Sequence, residues 1–439
     1  MEALKDKIES SFIVFENELN GQAKTPIHKI RQEAFKVFEK QGFPSKRDEE
    51  WKYTNLKPIL KHDYRLFHNG ENAIDFKDVK RYFLSDADSY KLVFVDGMFS
   101  SWLSETTHDK FDICTFSSML SKYPEVAEKY FNKALPKNES LAAINTAFAK
   151  EGAFIRIKKG QAVQKPVQLI FFTTEHGKEV MMQPRNLVVV EENAEVQIVE
   201  RHQSLSVKPV LTNTATEIFA ERNSRLHYYK IQNDHLEASL IDNTSIFQYG
   251  GSNVSMGTFS FGNKFIRNNL NFFIQEERTE SHMDGITIIE DGQLVDHHTL
   301  ADHKFANCFS NELYKGIYDG NAKGVFNGKV MVHPHAQKTN AFQQNNNILM
   351  TDKASVDTKP QLEIYADDVQ CSHGCTIGQL DEDALFYLQS RGIPEKEGRA
   401  LLLYAFANDG LRNVKIPELR KKLNKLIASK LSVDLDFEL

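Results

Sequence analysis

The stretch "RNLVVVEENAEVQIVERH", residues 185–202, joins two apolar runs through a short polar turn. Apolar and polar residues alternate in its second half, which is typical of a strand with one buried face. Similar short runs, separated by Gly, Asn and Asp, continue through residues 153–378 with no convincing helix between them. So much continuous strand predicts a sandwich, a barrel or a solenoid.

The turn sequences recur at intervals that favour a solenoid. "EENAEV", "ERNSRL" and "GGSNVS" begin at residues 191, 221 and 250, while "DGQLV" and "DGNAKGVF" begin at 291 and 319. Such periods suit a β-helix whose coils stack on one another. The tract "KTNAFQQNNNIL", residues 338–349, also fits, because asparagine side chains can hydrogen-bond between coils. Turn residues can also recur by chance in any all-β domain. Periodicity alone therefore supports a solenoid and another all-β fold about equally.

Both flanks of this β region are predicted to be helical. We expect a mixed, largely helical domain at 1–150, the β core at 151–379 and a helical domain at 380–439. In the last domain, Asp381 is placed as an N-cap, and Pro394 and Pro417 open two further helices. The run "ALLLYAFA" at 400–407 is apolar nearly all round, so packing within the tail or a partner should cover it.

The bulk properties exclude several classes of protein. The 439 residues carry a net charge of −6 with a pI near 6.2, which gives no general attraction to nucleic acid or anionic membranes. The first residues form no secretory signal, and the apolar runs are too short to span a bilayer. Four cysteines make no disulfide framework. We therefore expect a cytoplasmic protein with reduced thiols.

The residues best suited to chemistry lie in "CSHGC", residues 371–375. In an extended segment Cys371, His373 and Cys375 share one face, and two thiols with an imidazole suit iron or zinc. The segment supplies at most three ligands, so a closed site needs a fourth from elsewhere. Gly374 permits a turn that would spoil the shared face. Spacing alone leaves a metal site, a catalytic thiol and buried packing residues as open alternatives.

Other candidate clusters carry weaker signals. The sequence "DHHTLADHKFANC" fits no metal-binding spacing, although Asp296 could orient a neighbouring imidazole, and we expect its histidines to be solvated or buried in the core. Its candidate ligands are His297, His298, His303 and Cys308. His333 and His335, in "VMVHPHAQK", are equally weak as a site. The sequence contains neither a Walker A motif nor a dinucleotide-binding glycine motif, so nucleotide binding by this chain is not expected.

A long block of the sequence resembles a known family. "NELYKGIYDGNAKGVFNGKVMVHPHAQKTNAFQQNNNILMTDKASVDTKPQLEIYADDVQCSHGCTIGQLDEDALFYLQSRGI", residues 311–393, closely resembles the SufB/SufD family of iron–sulfur cluster assembly scaffolds, and its SufD branch most of all. "RDEEWKYTNL" at 47–56 resembles the family's E-x-W-K-Y-T segment. The resemblance implies a mainly β fold, with a right-handed parallel β-helix core flanked by helical N- and C-terminal parts. It favours the solenoid, which periodicity left undecided.

The resemblance also assigns roles within "CSHGC". SufD-type chains carry a C-[ST]-H-G-A-T segment, which Cys371 and His373 match. It implies that these two residues, His373 above all, contribute with a SufB cysteine to the site where a nascent cluster forms. Cys375 stands where the family has alanine. It is either a supplementary ligand or an ordinary small residue in a packed position, and the second is favoured because the family site works without it.

The family further implies the partners. The chain would be a scaffold without independent turnover that pairs with a SufB-like subunit through the β-helix, or with a second copy when isolated. The ATPase SufC would dock on the C-terminal helices, with Phe386, Tyr387 and Leu403 as interface or core residues, and ATP would enter only through SufC. The alternatives are a SufB-type component of the same complex and, more remotely, a β-helix polysaccharide-degrading enzyme. The second alternative requires a secretion signal and a catalytic groove, which the sequence does not clearly offer.

Overall fold

Helices occupy the two ends of the chain and strands the middle. The computed structural model describes residues 2–19, 25–66, 74–84, 87–106, 111–174 and 178–433. No helix within these ranges is long and apolar enough to cross a membrane. The helices are α1 (Glu2–Glu18), α2 (Pro26–Gln41), α3 (Lys57–Leu60), α4 (Phe76–Val79), α5 (Phe116–Lys122), α6 (Pro124–Tyr130), α7 (Ser140–Ala147), α8 (Glu382–Ser390), α9 (Glu395–Asn408) and α10 (Pro417–Lys430).

The strands begin at residue 90 and continue to residue 378. They are β1 (Tyr90–Val95), β2 (Met98–Phe99), β3 (Phe111–Thr115), β4 (Ala153–Ile157), β5 (Val167–Thr173), β6 (Val180–Met182), β7 (Arg185–Val190), β8 (Glu195–Ser204), β9 (Val210–Ala220), β10 (Arg225–Gln232), β11 (Ala238–Gln248), β12 (Asn253–Ser260), β13 (Phe265–Ile274), β14 (Glu280–Ile289), β15 (Leu294–His303), β16 (Phe309–Tyr318), β17 (Lys323–Val332), β18 (Asn340–Leu349), β19 (Ser355–Ile364) and β20 (Gln370–Gly378).

These strands form two stacked ladders. Sheet A runs in the order β3-β4-β7-β9-β11-β13-β15-β17-β19, with β6 beside β9, and sheet B runs β2-β1-β5-β8-β10-β12-β14-β16-β18-β20. From β4 onward the chain alternates between the two sheets, and each strand pairs in parallel with a strand of the neighbouring coil. Eight coils follow, from β4/β5 and β7/β8 to β19/β20. The predicted parallel β-helix is confirmed.

The recurring turns are the corners of these coils. Asn193, Asn223 and Gly251 lie where the chain passes from sheet A to sheet B, with φ of 58°, 56° and 71°. Asn and Gly tolerate this left-handed conformation, and each of the three donates its N–H to a carbonyl of the next coil over 2.9–3.2 Å. Gly292 and Gly320 lie at the opposite corner, where sheet B leads to sheet A. The two sets of recurring turns are therefore the two kinds of corner of the coil.

The asparagine-rich tract forms β18, with alternate polar residues buried inside the coil. Asn347 donates from Nδ2 to the carbonyl of Thr376 in the next coil over 3.2 Å, and Asn345 reaches the carbonyl of Tyr314 in the preceding coil over 3.5 Å. The asparagines therefore do link coils, as expected. Asn346 also accepts a hydrogen bond from Oγ1 of Thr376 in the next coil over 3.1 Å. The amide-to-amide bond in the tract, however, joins Asn347 to Asn345 of the same strand.

The segment "RDEEWKYTNL" is held against the outer face of sheet A. Arg267 on β13 forms a buried ion pair with Asp296 on β15 at 2.6 Å, and its guanidinium lies 4.3 Å from the ring centre of Trp51. Asp296 also accepts a hydrogen bond from Thr54, and His298 contacts Glu50 at 3.1 Å. The N-terminal region is thus fixed to the β-helix through buried charges.

The C-terminal helices cover the outer face of sheet B. Asp381 caps α8 by accepting the N–H groups of Asp383 and Ala384, and Pro417 occupies the first turn of α10, as predicted. Leu403 and Ala407 on α9 belong to the same buried cluster as sheet B residues, which include Ile286, Ile288, Ile317 and Ile348. Packing against the sheet and within the tail therefore covers one side of the apolar run at 400–407.

The Arg267–Asp296 pair gives a test of this anchoring. Burial alone would raise the pKa of Asp296, but Arg267 and His298 outweigh it and hold the pKa well below its usual range. The pair therefore stabilises the fold at neutral pH and loses its contribution as the pH falls. We expect Asp296→Asn to lower the free energy of unfolding by about 3–5 kcal/mol, because it leaves Arg267 buried and unpaired. The midpoint of urea denaturation measures this loss.

Lys359→Ala is the matched control, since it removes only a surface ion pair with Glu49. That change should cost less than about 1 kcal/mol. Equal midpoints for the two variants would contradict the anchoring role of Asp296.

Candidate functional site

The candidate site lies on β20, the final strand of sheet B. One edge of β20 pairs in parallel with β18, and within the described ranges no strand pairs with its other edge. In sheet A, β19 ends the ladder in the same way. The last coil therefore presents two strand edges and its open interior to the surroundings, and we call this end of the β-helix the rim.

The register fixes the direction in which the site residues point. Cys371 is aligned with Ala341 of β18, and His373 with Gln343, in adjacent parallel strands. The β18 partners are at most 1% exposed and face the interior of the coil. Because aligned residues of parallel strands point to the same side, Cys371, His373 and Cys375 share the inward face, as predicted. Gly374 does not break the strand.

The three side chains differ in their surroundings. Cys371 is half-buried against the apolar interior, and burial raises the pKa of its thiol. His373 and Cys375 are exposed at the rim, where the Cys375 thiol donates to Oγ1 of Thr358 on β19 over 3.3 Å. The expectation that Cys375 occupies a packed position is therefore wrong. The position is open because no further coil covers it within the described chain.

This arrangement offers too few ligands for a closed metal site. Alternate residues of a strand lie about 6.6 Å apart, so the thiols and the imidazole are spread along the rim. Within the described ranges, no three His, Cys, Asp or Glu side chains come close enough to hold a metal ion. An iron bound at the rim would therefore need ligands from outside the described part of this chain.

Two buried polar residues below the rim were not identified from the sequence. Gln343 donates from Nε2 to Oε2 of Glu312 over 2.7 Å. Burial raises the pKa of Glu312 to about 7. The alternation in "AFQQNNN" could have identified Gln343, because it places Gln343 and Asn345 on the inward face of β18.

The histidines of the 296–308 cluster serve the structure of the coils. His297 and His303 are buried and hydrogen-bond to Thr287 and Ser310, each over 2.9 Å. Burial lowers the pKa of both imidazoles to about 4, so both are neutral at physiological pH. The expectation that this cluster contains core histidines is confirmed for these two residues.

Four more residues of these weaker clusters have local partners, namely Asp296, His298, Cys308 and His333. Asp296 orients His298 through a 3.1 Å contact, as the sequence suggested, but that contact belongs to the N-terminal anchor. Cys308 is buried, and its thiol points at the carbonyls of Glu276 and Ala306. His333 pairs with Asp302 at 2.8 Å.

The three residues considered for partner docking fall into two groups. Phe386 and Tyr387 on α8 are 71% and 58% exposed, and both are large apolar side chains. Leu403 is only 5% exposed and packs in the cluster between α9 and sheet B. A groove of about 410 Å³ lies between the end of sheet B and the helices, lined by residues that include Ile348, Leu380, Leu402 and Phe406. Leu403 therefore belongs to the core, whereas Phe386 and Tyr387 face outward.

Comparison with known proteins agrees with this architecture. The SufBD core domain of the SUF system of FeS cluster assembly matches residues 171–406, and the SufBD protein N-terminal region matches residues 5–169. An iron–sulfur cluster assembly SufBD family protein of Synechocystis is 33% identical over 408 residues, which cover 91% of this chain and 90% of the relative. The chain belongs to the SufBD family. The matched core contains "CSHGC", α8 and all but the last two residues of α9.

Other relatives also match over most of their length. The iron–sulfur cluster assembly protein SufD of Escherichia coli is 31% identical over 371 residues, covering 83% of this chain and 84% of the relative. The chloroplastic protein ABCI7 of Arabidopsis thaliana is 27% identical over 410 residues, covering 90% of this chain and 84% of the relative. This SufBD chain is therefore an iron–sulfur cluster assembly protein of the SUF system.

The rim geometry predicts the order in which the thiols react. Thiolates are the reactive form, so exposure speeds alkylation, whereas burial and a raised pKa slow it. We expect iodoacetamide to modify Cys375 first and Cys371 more slowly. Cys114, whose pKa burial raises to about 11, and the buried Cys308 should react last. Mass spectrometry of peptides from the native chain over time measures this order.

Cys375→Ser supplies the control, because it should abolish the fastest phase and leave the others unchanged. Fast modification of Cys308 in the native chain would show that the coils are less closed than the structure indicates.

Proposed function

We propose that the chain is a SufD-type scaffold subunit on which a nascent iron–sulfur cluster is assembled together with a SufB-like partner. The observation that carries the proposal is the rim itself. It presents Cys371 and His373 on one inward face, with too few ligands nearby to hold iron alone. Relatives named SufD and SufBD family protein, aligned over most of this chain, support the assignment to this branch.

The open strand edges favour a partner at the same place. β19 and β20 end their sheets with backbone N–H and C=O groups that no further strand satisfies within the described ranges. Exposed edges are templates for strand addition, and the flat end of a β-helix offers two edges side by side. A SufB-like subunit with its own β-helix would cover both edges and would bring the missing thiolate ligand to the rim. A second copy of this chain is the alternative occupant when no SufB-like subunit is present.

The chemistry of the rim suits temporary binding. The nascent cluster is cargo, and its iron takes thiolate and imidazole ligands. Burial raises the pKa of Cys371, so the thiol keeps its proton until iron displaces it, which weakens net binding. His373, exposed at the rim, would add a neutral ligand. A site divided between two subunits can release its cargo when the subunits move apart.

We assign the energy for that movement to the ATPase SufC, docked on the C-terminal helices. Phe386 and Tyr387 form an exposed apolar pair on α8, which follows the site strand directly in the chain. Exposed apolar patches of this kind mark protein interaction surfaces. Movement of α8 would be transmitted to β20 through the short connection at residues 379–381. In this scheme the chain has no turnover of its own, and ATP acts only through SufC.

A SufB-type role in the same complex is the second candidate. It is favoured only by the shared family domains, which describe SufB and SufD together. The SufD name of the Escherichia coli relative and the match of Cys371 and His373 to the SufD-type segment favour the first candidate.

The ligand role of His373 has a direct test. We expect His373→Ala to lower the iron and acid-labile sulfide recovered on the purified complex several-fold, because the rim loses its exposed nitrogen ligand. Subunit composition, read by size-exclusion chromatography, should stay unchanged. Ser372→Ala is the matched control, since Ser372 is exposed on the opposite face of the same strand. Unchanged iron and sulfide in the His373→Ala complex would refute the ligand role.

Cys375→Ala tests whether the thiol of Cys375 is a ligand of the cluster. Because the SufD-type segment has alanine at this position, we expect iron and sulfide content to stay within experimental error of the wild type. A loss comparable with that of His373→Ala would instead make Cys375 a ligand.

A further inference from the structure

A column of polar side chains runs inward from the rim. Glu312 of β16, Gln343 of β18 and His373 of β20 are aligned in register across sheet B. Adjacent strands lie about 4.8 Å apart, so each of these side chains is the immediate neighbour of the next. Glu312 and Gln343 are 3% and 1% exposed, whereas His373 is exposed at the end of the column.

The side-chain amide of Gln343 has a hydrogen-bond partner for its nitrogen but none among the described residues for its oxygen. Its Nε2 donates to Oε2 of Glu312 over 2.7 Å, and its Oε1 is buried without a hydrogen-bond partner among the described residues. Gly328 of β17 leaves room for this amide, because a Cβ there would come within 2.4 Å of Nε2. A buried carbonyl without a partner destabilises the fold, because its lost hydrogen bonds to water are not replaced. Such a group calls for a specific explanation.

The residue next to this carbonyl in the ladder is His373. Its imidazole has no hydrogen-bond partner among the described residues, although it lies on the same inward face. Histidines that bind metals nearly always donate their other ring N–H to a carbonyl or carboxylate, which fixes both the tautomer and the ring orientation. The rim therefore combines an acceptor without a donor and a candidate ligand without an orienting partner.

We propose that Gln343 is the positioning residue for His373. Its Oε1 accepts the N–H of one ring nitrogen and leaves the lone pair of the other nitrogen directed at the cargo iron. Glu312 acts through Gln343, because it holds the Nε2 side of the amide and so fixes which end faces the rim. The inference rests on the proposed function, since it concerns the same ligand.

A neutral acceptor suits this task better than a carboxylate. A carboxylate in contact with the imidazole would favour the protonated ring, which cannot bind a metal. Gln343 orients the ring without adding charge, and it separates His373 from the carboxyl group of Glu312, one strand deeper. The two-step column therefore provides orientation without placing a charged group against the imidazole.

The tautomer of His373 tests this inference without iron. In the full-length chain labelled with ¹⁵N-histidine, long-range ¹H–¹⁵N NMR spectra report which ring nitrogen carries the proton, and the His373→Ala spectrum assigns the signal. We expect one dominant tautomer in the wild type. In Gln343→Met, which keeps the length of the side chain but removes the acceptor, the signal should move to the averaged position of a free imidazole.

Two further variants complete the design. Gln344→Met changes the exposed, outward-facing neighbour of Gln343 and should leave the tautomer unchanged. Glu312→Met frees the amide while keeping Gln343, and it should shift the signal in the same direction by a smaller amount. A free-imidazole signal in the wild type, or identical wild-type and Gln343→Met spectra, would overturn the inference even if a variant folds poorly.

Iron binding by the complex separates this inference from the proposed function. We expect Gln343→Met to weaken iron retention about 10–100-fold, the usual effect of removing an orienting partner. If His373→Ala leaves iron unchanged while the wild-type tautomer is fixed, the proposed ligand role fails and the hydrogen bond stands. If His373→Ala loses iron while Gln343→Met changes neither tautomer nor iron, the positioning role alone fails.

Discussion

Parallel pairing between successive coils is the constraint on which the rest of this structure depends. Each coil satisfies the backbone groups of the one before it, and its corner residues donate to carbonyls of the next. The final coil has no successor within the described chain. Its two strands therefore have unpaired edges, and its interior is open. Its inward-facing side chains lie at positions that would be buried in any other coil of the β-helix. The features assigned here to cluster assembly all occur at this end.

The polar residues inside the last coils follow from the same constraint. Glu312 and Gln343 occupy interior positions that aligned residues of earlier coils, such as Met283 and Met256, fill with apolar side chains. Buried polar groups persist only when they are paired or have a function, because the low dielectric of the interior makes an unpaired group costly. In the two coils below His373, the hydrogen-bonded pair of Glu312 and Gln343 replaces these methionines. The replacement therefore agrees with a polar function at the rim.

Local patterns in the sequence predict the strands but not which of them is last. Alternation in "EVQIVERH" and asparagine or glycine at the corners identify strands and turns, since both depend on near neighbours. Periodicity could not separate a solenoid from other all-β folds, because turn residues can recur by chance in any of them, and the family resemblance decided the question. A packed position was favoured for Cys375 because the family site works without a thiol there, and no local pattern shows that its coil is the last. Gln343 and Glu312 were missed because their contact spans 31 residues, which only the coil register brings together.

The central claim is that the open rim is the surface shared with a SufB-like subunit. Hydrogen–deuterium exchange of this chain, alone and with that subunit, tests the claim most directly, because amides on an unpaired edge exchange fast and amides in a continuous sheet are protected. We predict new protection concentrated in β19 and β20, while α8 becomes protected only when the ATPase is added. Unchanged exchange in both strands, with protection elsewhere on the β-helix, would contradict it.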